Sequence, residues 1–119
     1  MRILILEDSE DRIYAFKKKL AGHYVEYYNN VKECIQSLKG NGPWDYLLLD
    51  HDLDNKFNPP SDGTGYEVAK YVANHPDICP RRILIHSANN VGAAAMMRVL
   101  GDVGIRATYI PFLWTKIEI

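Results

Sequence analysis

Tyr46-Leu47-Leu48-Leu49-Asp50-His51-Asp52-Leu53 is the stretch that decides the fold. Four apolar residues in a row leave no wet face, so the strand they form must be covered on both sides, as in a parallel sheet between helices. The acid that ends such a strand stands at the carboxyl rim of the sheet, where open α/β folds bind their ligands. Arg2-Ile3-Leu4-Ile5-Leu6 repeats the pattern and runs directly into Glu7-Asp8. If the two strands are neighbours, three carboxylates share one rim. Such a cluster of like charge asks for a compensating cation, and an all-oxygen donor set points to Mg2+ or another divalent ion.

Outward from these strands, β-type and helical segments alternate along the chain. A helix is predicted from Ser9 or Glu10 to about Leu20, with Ile13, Phe16 and Leu20 at helical spacing and Gly22 as its stop. His23-Tyr24-Val25-Glu26-Tyr27 alternates as a strand at a sheet edge does. Asn30 with Glu33 three residues later reads as an N-cap with its reciprocal acid, opening a helix that carries Val31, Cys34, Ile35 and Leu38 inward. A polar loop over 52–62 precedes a helix from Tyr66 to Asn74, and Arg82-Ile83-Leu84-Ile85-His86 is the fourth strand. An Ala- and Met-rich helix stops at Gly101, with Met96 and Met97 read as core, and Ile105 to Ile110 is the fifth strand. Only eight residues follow Pro111, which leaves a final helix truncated or absent.

This order demands right-handed crossovers and a three-layer αβα, flavodoxin-like fold. Its five-stranded parallel sheet should run 2-1-3-4-5, with the switch point between strands one and three, where Glu7, Asp8 and Asp50 fall. The 119 residues make a single domain, 1–119. Fifteen acidic against fourteen basic residues give a net charge of -1, so no global field recruits nucleic acid or an anionic membrane. Without a signal-type stretch or an apolar run near the ~20 residues of a membrane span, a cytoplasmic protein is expected. Cys34 and Cys79 lack metal or disulfide spacing and read as reduced, small apolar residues.

Two histidines stand at strand ends beside the acids, in Asp50-His51-Asp52 and in His86-Ser87-Ala88-Asn89. With ordinary pKa values they could share the base and acid roles of a hydrolysis, facing one pocket. Ser87, Asn89 and Asn90 open the fourth helix and are the candidate phosphate-binding residues, together with backbone N–H groups left exposed at that helix start. His23 and His75 are expected to face solvent. Trp114, Ile117 and Ile119 either cover the sheet face that a fifth helix would bury or expose it to a partner, which motivates a homodimer through that face.

In these residues the chain resembles a response-regulator receiver domain over essentially its whole length. Glu7-Asp8 is similar to the receiver acidic pair, Asp50 to the phosphoacceptor aspartate, and Ser87-Ala88 to the Ser/Thr-Ala step after the fourth strand. The resemblance also implies that the backbone carbonyl of Asp52 completes the Mg2+ shell. It departs from the pattern in two places. Tyr109-Ile110-Pro111 lacks the lysine that receivers carry just before the proline, and the loop after Asp50 is longer than a receiver's. With histidines arriving as the lysine leaves, the chain is similar to the atypical cyclic-phosphate processing receiver group. For that group the resemblance implies an enzyme-like site with His51, His86 and Asp50 as catalytic residues and a cyclic phosphate as ligand. Two other readings stay open: a stand-alone signalling receiver phosphorylated on Asp50 by a histidine kinase, and a catalytically silent pseudo-receiver that binds a protein or small ligand.

Overall fold

Ile3, Leu4, Ile5 and Leu6 are all fully buried, so the first strand is covered on both faces as its composition requires. The computed structural model describes residues 1–53 and 63–119. The chain runs β1 (Arg2–Leu6), α1 (Glu10–Lys19), β2 (Tyr24–Tyr28), α2 (Val31–Gly40), β3 (Tyr46–Leu49), α3 (Gly65–Asn74), β4 (Arg82–Ile85), α4 (Asn90–Gly101) and β5 (Ala107–Tyr109). Two single 3-10 turns, Pro76–Ile78 and Leu113–Thr115, complete it. All strand pairs are parallel and the sheet order is β2-β1-β3-β4-β5. Among the described residues no helix is long and apolar enough to cross a membrane.

The side-chain alternation of β1 and β3 divides the core in two. Leu4, Leu6, Leu47 and Leu49 meet Leu38, Val68, Val72, Met96 and Leu100 on one side, while Ile3, Ile5 and Leu48 meet Phe16 and Leu20 of α1 on the other. Local signals set the helix starts. Side-chain oxygens of Ser9, Asn30, Thr64 and Asn89 accept from the backbone N–H of Arg12, Glu33, Tyr66 and Gly92. Glu33 answers through the Asn30 amide, 3.0 Å from Nδ2. Two strands are displaced from their predicted bounds because turns claim their first residues. His23 N–H donates to Leu20 O and closes α1, and Ile105 N–H donates to Leu100 O and closes α4.

The tail resolves the choice left open for the missing fifth helix. Phe112 takes a left-handed backbone (φ 61°) and turns the chain so that Leu113 and Ile117 bury against Phe16, Ile3 and Leu48. Holding a non-glycine residue there costs about 1–3 kcal/mol, while burying each aliphatic side chain returns about 1.5–3 kcal/mol. Burial therefore wins. The face is covered by the chain's own tail, which removes the uncovered surface on which the expected homodimer rested.

A polar cluster pins β2 to α2. The hydroxyls of Tyr24 and Tyr28 donate to Glu26 at 2.6 and 2.7 Å, and Ser37 and Asn41 donate as well. Burial alone pushes this carboxyl upward, yet the four hydrogen-bonding groups outweigh it and hold it at about 2. Because the folded value lies below the unfolded one of 4.5, the contribution is present above that pH and is lost as pH falls toward 2. Glu26→Gln should lower stability by about 1 kcal/mol at pH 7, discounted for partial exposure. Thermal melts from pH 2 to pH 7 check this, and a gap between wild type and variant that stayed constant across the range would contradict it.

Candidate functional site

Strand register builds the site. Leu6 is level with Leu49, and Leu49 with Ile85, so the next residue of each strand, Glu7, Asp50 and His86, forms one row across three neighbouring strands. The ladder holds for that extra step, with Asp50 N–H donating to Leu6 O and His86 N–H to Leu49 O. Ile5, Leu48 and Leu84, two residues earlier, all belong to the α1-side cluster, so the row lies on that face.

Oxygens of Glu7, Asp8 and Asp50 lie within 4.8 Å of one another, with Glu7 and Asp50 buried and Asp8 half-buried. Glu7 Oε2 accepts from the backbone N–H of Asp8 and Ser9, at 3.0 and 3.1 Å. Its other oxygen, Oε1, is buried without a hydrogen-bond partner. Burial, then the neighbouring Asp50 charge, push the Glu7 carboxyl up to about 8, and burial raises Asp50 as well. An orphaned carboxylate oxygen in an all-oxygen donor set fits a hard divalent cation, which Glu7, Asp8 and Asp50 would hold. Asp52 is outside this cluster: its Oδ1 lies 2.8 Å from His51 Nδ1 and takes a 3.2 Å bond from Asn89 Nδ2.

The two histidines do not share a pocket, contrary to the sequence expectation. His86 is fully buried on the α1 side, edge-on to Phe16 (5.3 Å between ring centroids) and Trp114 (6.2 Å), with Nδ1 3.6 Å from Glu7 Oε1. Burial, and then the Arg12 charge, bring it down to about 3, so it is a neutral imidazole rather than a group that titrates near neutrality. His51 lies beyond the end of the ladder, and its ring goes to the opposite, α4 side of the sheet. Its ring lies against Gly92 of α4, where an added Cβ would come within 2.4 Å of Cγ, and Nδ1 is 3.5 Å from Asn89 Nδ2. Asp50 receives the His51 backbone N–H at 2.8 Å, which fixes the turn between the two residues.

The start of α4 is more fully occupied than an exposed anion cradle would be. Asn89 N–H donates to Ser87 Oγ, Asn89 Oδ1 caps Gly92 N–H, and Ala93 N–H donates to Asn89 O. The Tyr109 hydroxyl stands 2.8 Å from both Ser87 O and Asn90 Oδ1, tying the end of β5 to the helix. Of the 52–62 loop read as governing access, residues 54–62 lie outside the described part of the chain.

Sequence reading missed Arg12. This first-turn residue of α1 brings Nη1 to 3.6 Å from Asp50 Oδ2 and 3.8 Å from Glu7 Oε1, with its guanidinium 4.4 Å from the centre of the Trp114 ring. The signal was present: an acidic cluster that has lost the receiver lysine needs a cation from another element, and Arg12 follows the acid pair by one helical turn.

The family model for the cyclic-phosphate processing receiver domain matches residues 2–102. No curated protein matches the chain in sequence. Among solved structures, the fold is similar to the phosphorylated cyanobacterial phytochrome response regulator RcpA (TM-score 0.70, 19% identity, 92% of this chain and 79% of that one). It is also similar to a CheY-like receiver domain protein from Methanospirillum hungatei (TM-score 0.65, 19% identity, 98% and 82%) and to the Mn2+-bound form of response regulator Rcp1 (TM-score 0.64, 16% identity, 92% and 79%).

Proposed function

Because this chain belongs to the cyclic-phosphate processing receiver domain family, we propose that its sheet-edge carboxylates serve a site that hydrolyses a cyclic phosphate ester. The observation that carries this reading is the buried Oε1 of Glu7, which has no hydrogen bond and meets the Arg12 charge only at 3.8 Å, beside Asp8 and Asp50 at the ligand-binding edge. A bound Mg2+ or similar ion would supply charge neutralisation for the phosphate oxygens and a lowered pKa for a coordinated water. The Asp52 carbonyl remains the candidate backbone ligand.

The chain's own residues divide the remaining work. His51 turns its ring to the α4 side of the sheet edge, with Nδ1 2.8 Å from Asp52 Oδ1; for a phosphate that reaches over the edge from the carboxylate row, Nε2 takes a proton from the attacking water and returns it to the leaving alkoxide as the ring P–O bond breaks. Ser87 Oγ–H and Asn90 Nδ2 donate to phosphate oxygens. His86 moves no proton: as a neutral ring wedged behind Glu7 it is a positioning residue.

The test is turnover of a 2′,3′-cyclic nucleotide with Mg2+. Activity should vanish in EDTA and fall by about 100-fold or more in His51→Ala, the usual loss for a general acid–base group. The rival signalling reading rests on Asp50, whose Oδ2 lies 3.6 Å from the Arg12 guanidinium at the strand end. Absence of turnover, with a phosphoryl mass gain from acetyl phosphate that Asp50→Asn abolishes, would replace the hydrolase reading with that one. Silence in both assays would leave a binding module.

A further inference from the structure

We propose that Arg12, seated on Trp114, is the residue that grips the anionic phosphate, taking the role left vacant at Ile110. This deepens the reading of the site as phosphate-binding and rests on it. The charge balance comes first. Three carboxylates and one divalent cation leave the site at about -1, so an incoming phosphate anion needs another positive group beside it. The strand that supplies a lysine in receivers cannot do so here. Ile110 is apolar, its side chain packs against the α1-side core, and its N–H donates to Ile85 O at 2.8 Å.

The placement of Arg12 is that of a ligand group rather than a simple counter-ion. A guanidinium free to pair with carboxylates closes to about 2.7–2.9 Å. Here Nη1 stands off at 3.6 and 3.8 Å, within electrostatic reach of both acids but not hydrogen-bonded to either. Trp114 holds it there, 4.4 Å below the guanidinium and itself met edge-on by Phe112 and His86. About a third of the Arg12 side chain is exposed, so the planar donor fork can be met from solvent by two phosphate oxygens. The tail that replaces the fifth helix thus has a second task, as the platform on which this cation is aimed.

Isothermal titration of wild type, Arg12→Gln, Arg12→Lys and Trp114→Leu, with inorganic phosphate in the presence of Mg2+ and separately with Mg2+ alone, tests the assignment. In Arg12→Gln the phosphate affinity should fall 10-fold or more while Mg2+ affinity holds or tightens, because a competing cation has left. Arg12→Lys, which keeps the charge and loses the fork, and Trp114→Leu, which loses the platform, should fall between. Undiminished phosphate affinity in Arg12→Gln, with tighter Mg2+ binding, would make Arg12 a mere counter-ion and overturn the proposal, as would a wild type that binds no phosphate. Arg12-dependent phosphate binding without cyclic-nucleotide turnover would sink the hydrolase reading and leave this one standing.

Discussion

Gly65→Ala is expected to cost more stability than any other alanine substitution at a glycine of this chain, on the order of 4 kcal/mol or more out of a total of about 5–15 kcal/mol. An added Cβ would sit 1.8 Å from the Asp50 carbonyl oxygen and 3.2 Å from His51 Cα. The atoms in the way are backbone, so no rotamer change relieves the clash, and the Gly65 N–H to His51 O bond of 2.9 Å holds the two segments together. Helix α3 therefore starts with its backbone pressed onto the Asp50–His51 turn. Making room would shift the carboxylate that the site depends on. Gly101→Ala supplies the control, since a Cβ added there would meet nothing within 4 Å and its backbone is ordinary helix. That variant should be neutral or up to about 1 kcal/mol more stable. Equal melting temperatures for Gly65→Ala and wild type would mean that α3 does not rest on the turn as described.

How much of this was open to inspection before the fold was known depends on which physical signal each feature leaves. Apolar runs ending in acids identify buried parallel strands and their carboxyl edge. Glu7, Asp8 and Asp50 could therefore be gathered without coordinates, because Ile3 to Leu6 and Tyr46 to Leu49 admit no wet face. The Asn30 cap was equally readable because its partner Glu33 is local. The relation between His51 and His86 was not, because it is a matter of register. His86 stands in the row that ends the ladder, level with Asp50, and His51 one residue beyond it, which sends the rings to opposite faces. Arg12 was passed over for a similar reason. A charged residue in a first turn reads as solvated until the tail delivers Trp114 beneath it, and that contact joins opposite ends of the chain.

Asp50→Asn should have effects of opposite sign with and without metal, and the reversal is what identifies the acidic row as a cation site. In EDTA the variant is expected to melt higher than wild type at pH 8, where Glu7 is partly ionised, and no higher at pH 5, where Glu7 holds its proton and Arg12 has lost its Asp50 partner. Burial is the larger cause of the raised Glu7 carboxyl and the Asp50 charge the next, so once Glu7 ionises near pH 8 removing that charge relieves a repulsion worth about 1 kcal/mol, or roughly 5 °C for a domain of this size. The pH dependence has a fixed sign. Glu7 has a folded value of about 8 against an unfolded 4.5, so the unfolded chain releases a proton that the folded one keeps, and metal-free stability falls as pH rises from about 4.5 to 8. Asp50→Asn should flatten that slope, since part of the shift goes with the charge. With Mg2+ added to about 100 times its dissociation constant, wild type should gain about 2.7 kcal/mol and overtake the variant, which has lost a ligand and gains little. Because the amide oxygen can still accept the His51 N–H that now goes to Oδ1, the turn itself is preserved and the comparison reads charge rather than misfolding. Melts in EDTA and in Mg2+ at pH 5 and pH 8 decide the matter: a variant less stable than wild type in EDTA at pH 8, or one that keeps the full Mg2+ response, would show that these carboxylates are held together for some reason other than a cation.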